Sequence, residues 1–572
     1  MALIVLALVP VLYLLVLIAK YGVNVPYADD FMIPPLLVKA YDHTLTFQDL
    51  FEQHNEHRYF FPRLLFIAFA RLADGNLRAE MFFSLSLTVL ISANLWLLVR
   101  KTIDRSLGKS LVVLFLINLA LFSPVQAENW TWGFQFPLFL CNFLFVCALA
   151  ATASALTITK KFAICLPLAV VAIFSFGGGV LLWALTFPLA LLTQKEMTRK
   201  SRIAWGAVWG CAGLGALALY FFHYVKPPQH PSLVASVNPL DYLFYVAAFL
   251  GAHLSRASRL EPILPAAAIG TVLLALYIGA VVYAWRRRYD AALTNRMLPW
   301  FALGAYAILN ASLAAVARIG FGVNQALDSR YTSFSLFLSV ALVGLLAILK
   351  KKIVDTRGEA RAYGTALLRG ETILLTAFAV LSLNAFTFGR GVMIESHRTR
   401  LWGKGALLFS NVLDSGELHD KYLIANAPEA RACANMLDAL GFMHPRMVPS
   451  SEISKLETKN TEAGYLDIVS STGQTCSITG WAILPESKTP AHCVVLSYKD
   501  PERGAVAFRI ADEIQERQDV AAFVENQAAE TSGWICHFER SLVPPGDHLL
   551  EGWAFDADRG ILYPLGTPRI LH

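Results

Sequence analysis

A few short stretches of this chain concentrate side chains suited to acid–base or phosphate chemistry. The first reads Tyr27-Ala28-Asp29-Asp30-Phe31 and directly follows an apolar run. Adjacent carboxylates repel each other, and beside a low-dielectric phase one of them gains a raised pKa and can serve as a general base. The plainer reading is a solvated loop. The second stretch, Gln53-His54-Asn55-Glu56-His57-Arg58-Tyr59-Phe60-Phe61-Pro62-Arg63, packs two His, one Glu and two Arg into eleven residues. Read as a helix, it places His54, His57 and Arg58 on one face, and Pro62 ends or bends it. The span from Phe47 to Phe69 then reads as an amphipathic helix lying at a membrane interface. The His-x-x-His spacing could hold a divalent cation, but Glu56 lies off the helical spacing that would complete a ligand set, so metal use stays open.

Two further stretches add to these. Gln126-Ala127-Glu128-Asn129-Trp130-Thr131-Trp132 carries a carboxylate between apolar segments, a functional candidate by default, although its tryptophans also fit an interfacial aromatic belt. Arg318-Ile319-Gly320-Phe321-Gly322 and Asp328-Ser329-Arg330-Tyr331 bring guanidinium groups whose planar forks match phosphate oxygens. An Arg330–Asp328 pair is the alternative reading. The catalytic candidates are therefore Asp29, Asp30, Glu56 and Glu128; the substrate-binding candidates are His54, His57, Arg58, Arg63, Trp130, Arg318, Arg330 and Tyr331. Lys226-Pro227-Pro228 and the run His253, Arg256 and Arg259 could add charge to the same phosphate site. Phe176-Gly177-Gly178-Gly179 reads as a tight turn or a close helix approach, with no nucleotide motif around it.

The elements that position these residues follow from composition. Of 572 residues, 56% are hydrophobic and 16% charged, the net charge is +6 and the mean hydropathy is +0.50. This excludes a disordered chain, a basic nucleic-acid-binding protein and an ordinary cytosolic enzyme. The apolar excess lies in the first two thirds. A spanning helix needs about 20 apolar residues, and that window predicts about eleven: near 2–19, 79–99, 110–122, 137–159, 162–175, 178–193, 203–222, 263–285, 298–317, 331–349 and 371–389. The short pair within 162–193 could be one re-entrant element. The N-terminal run lacks the basic start and small-residue cleavage site of a removable signal.

Lys/Arg clusters set the expected orientation. They sit at Arg100, Lys101, Arg105 and Lys109; at Lys160 and Lys161; at Lys195, Arg199, Lys200 and Arg202; at Arg286, Arg287 and Arg288; and at Lys350, Lys351 and Lys352. Each follows an even-numbered span, which predicts an inside N-terminus and an outside C-terminal tail. All the candidate residues above then fall in loops on the outer side.

From about residue 390 the composition becomes that of a soluble protein. Residues 391–463 show helical patterning; 464–572 break into short β-rich runs, with Gly480-Trp481-Ala482 echoed by Gly552-Trp553-Ala554 and partly by Gly533-Trp534. This predicts an antiparallel β-sandwich whose tryptophans anchor the core, exposed sugar stacking being the alternative. Cys141, Cys147, Cys165 and Cys211 lie in apolar spans; Cys433, Cys476, Cys493 and Cys536 lie in the tail, where an oxidising compartment would permit disulfides of undetermined pairing.

The order of these features resembles the GT-C class of integral membrane glycosyltransferases in a bacterial form. The resemblance lies in Asp29 and Asp30 just after the first span, His54 to Arg58 in the same loop, and Ser329-Arg330-Tyr331 late in the bundle, and it covers residues 1–390. It implies a mainly α, polytopic bundle in a bacterial cytoplasmic membrane; residues 391–463 and the sandwich at 464–572 lie beyond the resemblance, appended on the outer side by the charge bias. It also implies a polyprenyl-phosphate sugar donor, a glycan or lipid acceptor, Asp29 or Asp30 as the base that deprotonates the acceptor hydroxyl, and basic residues that neutralise the departing phosphate. No nucleic acid is expected, and no cofactor beyond an open divalent cation. An O-antigen polymerase or ligase would share these substrates. A lipid-linked glycan transporter would instead place ionisable residues mid-span and show repeat symmetry.

Overall fold

The computed structural model describes every residue except 105, 195–196, 229, 232–237, 256–261, 356–360, 473 and 572. Arg105 and Lys195 of two basic clusters, and Arg256 and Arg259, thus lie outside the described residues. The chain divides into two compact units. A helical unit comprises Met1–Gly22, Thr46–Leu65 and Arg78–Ile394; a sheet unit comprises Val23–Leu45, Phe66–Leu77 and Glu395–His572. The sheet unit therefore includes two pieces of the first long loop along with the C-terminal tail.

Among the described residues of the chain, nine helices are long and apolar enough to cross a membrane, from Ala2–Tyr21 to Arg369–Leu408. Their exposure is compatible with an apolar solvent. Only 28% of the apolar window of Ala2–Tyr21 and 22% of that of Arg199–Tyr220 is buried within the protein. Leu214, Leu219 and Val208 on the latter stand open. Apolar helix faces of this extent are what a multi-pass membrane protein presents to lipid. The nine coincide with nine of the eleven expected segments. The other two are shorter: Ile158–Ile173 carries Pro167 in its interior, and Gly177–Thr193 breaks into a 3₁₀ turn and two short helices around Thr186.

One buried helix was read in the sequence as loop. Pro239–Ser255 buries Tyr245 and every residue from Ala248 to Ser255. It lies so close to Ile263–Arg286 that a Cβ on Gly270 would sit 1.8 Å from the Ala247 carbonyl oxygen, and one on Gly251 2.0 Å from that of Ala266. Small residues facing each other let two backbones approach where no hydrophobic force drives helix association.

The two ends of the helical unit differ chemically. At one end Lys101 bonds the Ala153 carbonyl, Arg296 Nη2 donates to Ile103 O (3.2 Å), and Arg202 Nη2 to Gln194 O (3.0 Å), so cations there seal carbonyls at helix ends. The loops that carry Glu56, Gly177, His230 and Arg318 converge elsewhere, as described below.

The sheet unit contains ten strands: β3 (Gly464–Thr472), β4 (Thr475–Leu484), β5 (Thr489–Pro490), β6 (Cys493–Asp500), β7 (Gly504–Ile510), β8 (Glu513–Gln515), β9 (Gly533–Glu539), β10 (His548–Asp556), β11 (Ile561–Pro564) and β12 (Arg569–Leu571). They follow β1 (Gln53–His54) and β2 (His57–Arg58) of the helical unit. One antiparallel sheet runs β11-β10-β6-β7 with β12 on β10; the other runs β3-β4-β9-β8 with β5 on β4. Ile478, Trp534 and Cys536 of one sheet share a core with Leu496, Leu550 and Ala554 of the other. Trp534 and Trp553 of the Gly-Trp repeats serve this core, whereas Trp481 packs in a separate cluster with Val520, Ala521 and Val524. Gly480 pairs with Trp534, and a Cβ on it would meet the buried indole at 2.7 Å; Trp481 is buried, and Trp553 Nε1 donates to Ser497 Oγ (2.9 Å). All eight cysteines are free thiols. In the tail they pack as small apolar groups, Cys433 Sγ meeting the Phe31 carbonyl oxygen at 2.9 Å.

Candidate functional site

The stretch 53–58 is a hairpin and not a helix. Gln53 pairs with Arg58 and His54 with His57, leaving Asn55 and Glu56 as a two-residue turn. Asn55 has φ +48, a left-handed conformation that Asn tolerates and that two-residue hairpins demand. The amphipathic helix expected over 47–69 is accordingly split into Phe47–Phe51 and Phe60–Leu72. Pro62 falls in the first turn of the second, where its missing N–H costs nothing.

The turn places Glu56 beside a guanidinium, which bonds it, and two imidazoles. Arg318 bonds Glu56 Oε1; His57 Nε2 lies 3.7 Å from the same oxygen; His230 Nδ1 lies 3.4 Å from Oε2. Each imidazole has its tautomer set from the other side. The Gly177 N–H donates to His57 Nδ1 (3.1 Å), so the ring proton sits on Nε2, facing the carboxylate. Arg318 Nη1 donates to His230 Nε2 (3.0 Å), leaving that proton on Nδ1, again facing Glu56. Burial alone would raise the Glu56 pKa, but His57, Arg318 and the turn's own backbone N–H outweigh it and hold the carboxyl below the usual range. Burial lowers the His57 pKa to about 4, so the ring is neutral near pH 7. Glu56 is thus a fixed anion that orients a guanidinium and two neutral imidazoles.

The two other arginines of the loop have structural work. Arg58 donates to the carbonyls of Tyr220 (Nε, 3.0 Å), Phe51 (Nη1, 3.0 Å) and Phe222, where the helix Arg199–Tyr220 ends with unpaired carbonyls. Arg63 Nη1 gathers the carbonyls of Asp49 (2.9 Å), Leu50 (3.2 Å) and Glu52 (2.5 Å). His54 is buried against Tyr59 and Phe134.

The second and fifth loops meet within the same unit. The Glu128 N–H donates to Ser329 Oγ (3.4 Å), and Asn129 Nδ2 reaches Arg330 O (3.2 Å) and Ser333 Oγ (2.6 Å). Arg330 pairs with Asp328 (3.0 Å) and feels the Glu128 carboxylate as well. Tyr331 stacks on Phe249 and lies within electrostatic reach of both Arg318 and Arg330. Trp130 is fully buried, stacked on Phe139 with its N–H on Ser123 O (3.0 Å), and presents no surface to a ligand.

Beside the hairpin lies a groove of about 860 Å³. Phe47, Phe51, Phe222, Val225 and the two prolines 227 and 228 form its apolar wall; Arg58, His223 and Lys226 add cations or donors. Phe47, Phe222 and Val225 are all more than half exposed.

Asp29 and Asp30 belong to the sheet unit. They form a 3₁₀ turn, Ala28–Met32, in which buried Asp30 accepts the Tyr27 N–H at Oδ2 (3.1 Å). Among the described residues no three His, Cys, Asp or Glu side chains converge as metal ligands. His230 and Tyr220, whose hydroxyl bonds the Glu56 carbonyl, carry no signal in the sequence, and Gly177 stands out there only as part of a glycine turn; the fold alone brings all three to Glu56.

No family model, curated protein or solved structure matches this chain.

Proposed function

We propose that this protein is a membrane glycosyltransferase that moves a sugar from a polyprenyl-phosphate donor to a cell-envelope glycan or lipid at the outer face of a bacterial cytoplasmic membrane. The observation that carries this reading is the groove lined by Phe47, Phe51, Phe222 and Lys226 next to the Glu56–Arg318 pair. An isoprenoid phosphate needs an apolar wall open to lipid and cations at one end of it, and the groove offers both. The exposed Phe47, Phe222 and Val225 belong at the headgroup boundary.

In the proposed reaction an acceptor hydroxyl attacks the anomeric carbon, the bond from that carbon to the phosphate oxygen breaks, and polyprenyl phosphate leaves. The hydroxyl proton passes to Asp29 or Asp30, assigned to that role by the resemblance alone. Charge grows on the departing phosphate, so Lys226 and the oriented guanidiniums of Arg318 and Arg330 lower the barrier by stabilising it. Glu56 contributes by holding Arg318 and the two imidazoles in place, with no proton of its own to move.

The test uses purified protein in detergent, a radiolabelled polyprenyl-phosphate sugar and envelope glycans as acceptors. Label should move to the acceptor, and the double variant Asp29→Asn with Asp30→Asn should reduce transfer by two orders of magnitude or more, on the order of a general base's contribution. Full transfer by that double variant removes the base. No transfer by the wild type from any polyprenyl-phosphate sugar removes the reading.

A further inference from the structure

The sheet unit holds a cavity of about 450 Å³ whose lining comes from four separate stretches of chain. Its walls include Tyr27, Tyr422, Glu395, Arg398, Lys421 and Glu513. The charges come in pairs. Arg398 Nη2 reaches both oxygens of Glu395 (2.7 and 2.6 Å), and Lys421 Nζ lies 3.4 Å from Glu513 Oε1 and 3.3 Å from the Asp512 carbonyl. The rings are fixed. The Tyr422 hydroxyl donates to Asp512 O (3.0 Å), the Arg400 guanidinium stands 4.1 Å from the Tyr27 ring centre, and the Tyr27 backbone is tied to Asp30.

Three ligand classes can be weighed against this lining. An anion needs cations not already engaged, and here Arg398 and Lys421 each face a carboxylate while the third cation, Arg400, is buried over the Tyr27 ring. A hydrocarbon would strip water from a lining with five charged groups and return no hydrogen bond. A polyhydroxylated ligand suits the walls: each hydroxyl both donates and accepts, so vicinal hydroxyls can bridge a carboxylate and its cation, while the C–H face of a sugar ring lies on an aromatic ring. The volume falls within the usual range for small-ligand pockets. We infer that this cavity binds a neutral saccharide, as one sugar or the end of an oligosaccharide. The site stands on the sheet unit alone and holds whether or not the helical unit transfers sugar.

The experiment is saturation-transfer NMR on the full-length protein in detergent, with linear gluco-, galacto- and mannotrioses as probes and a short-chain isoprenyl phosphate as the contrasting ligand. At least one trisaccharide should receive magnetisation at its ring C–H protons. Lys421→Ala and Glu395→Ala, both at exposed positions, should leave the melting temperature unchanged and weaken binding roughly tenfold. Tyr27→Ala should abolish it. Absence of transfer to all three trisaccharides overturns the proposal, as does wild-type affinity in Lys421→Ala and Glu395→Ala. Displacement of the bound sugar by the isoprenyl phosphate also overturns it, because it would place the sugar in the groove of the helical unit.

Discussion

Glu56 and Arg318 stand 262 positions apart in sequence, and their side chains form an ion pair in which both are largely buried. The pair is the joint between the first long loop and the end of the helix Ala291–Arg318. Two imidazoles bracket it, their nearest nitrogens 3.7 and 3.4 Å from the carboxylate. Such a group is stable only as a whole: removing one member leaves a charge in a poor solvent without its partner.

Glu56→Gln should therefore destabilise the helical unit by about 1.5–3 kcal/mol, in the range for losing a charged hydrogen bond from a partly buried site. The combined variant Glu56→Gln with Arg318→Met should recover part of that loss, since no lone guanidinium remains. Thermal unfolding of the four proteins in one detergent completes the cycle. A double variant as unstable as the sum of the singles would show that the two residues act independently.

The same cluster makes stability fall with acid. The His57 pKa drops from 6.5 in the unfolded chain to about 4 in the fold, because burial disfavours the imidazolium. A depressed folded-state pKa means that the unfolded chain takes up the proton first. The contribution is complete above pH 6.5 and is lost as pH falls toward 4. Glu56, also held below its usual value, adds a loss in the same direction at lower pH. The melting temperature of the wild type should decline steadily from pH 6.5 to 4. His57→Asn, whose side-chain oxygen can still accept the Gly177 N–H, should be less stable at pH 7 and show a flatter profile. Parallel profiles would assign the acid sensitivity elsewhere.

The parts of this structure legible in the sequence are those written in local patterns. Nine apolar runs became nine long helices because a run of that length has only one way to satisfy its backbone in lipid. The alternation of β-rich runs with Gly, Pro and Asp became two antiparallel sheets for the same local reason. The helix Pro239–Ser255 escapes an apolar window because Asp241, His253 and the two tyrosines 242 and 245 dilute its apolar character, and its burial depends on the facing glycines 251 and 270. The site was half legible. Residues 53–63 stood out by composition, but helical spacing was the wrong template: Asn55 signalled a two-residue turn, and that turn is what aims Glu56. His230 and Gly177 enter through contacts across more than a hundred positions, which no spacing rule encodes.

Gly270→Ala should be costly although the change is one methyl group. The new Cβ would lie 1.8 Å from the Ala247 carbonyl oxygen, and backbone cannot yield as a flexible side chain can. A loss of roughly 1–3 kcal/mol is expected from overpacking, while Gly279→Ala on the same helix, where nothing lies within 4 Å, should be neutral. Equal melting temperatures for the two variants would mean that the helices separate at no cost.

The thiols offer a check on burial in both units. Seven of the eight are buried or half-buried, and the exposed one, Cys211, lies on the apolar helix Arg199–Tyr220. In intact membranes a charged maleimide should label none of them, and membrane-permeant N-ethylmaleimide should label Cys211 first. Reductant should leave the melting temperature of the sheet unit unchanged, because Cys433, Cys476, Cys493 and Cys536 carry no disulfide. A shift on reduction would reveal a bond among them.

The arginines and lysine around the groove separate two kinds of work. Arg58 spends its donors on the carbonyls of Phe51, Tyr220 and Phe222, a fork-shaped demand that an ammonium cannot meet. Arg58→Lys should therefore lower the melting temperature nearly as much as Arg58→Ala. Lys226 is exposed in the groove wall, so Lys226→Ala should leave stability within about 0.5 kcal/mol of wild type. Its effect should appear in affinity for a short-chain isoprenyl phosphate, weakened roughly three- to tenfold at low salt and less at high salt, as screening shrinks the charge contribution. Isothermal titration at two ionic strengths reads both. If Lys226→Ala binds the phosphate as tightly as wild type at low salt, the groove is not the phosphate site.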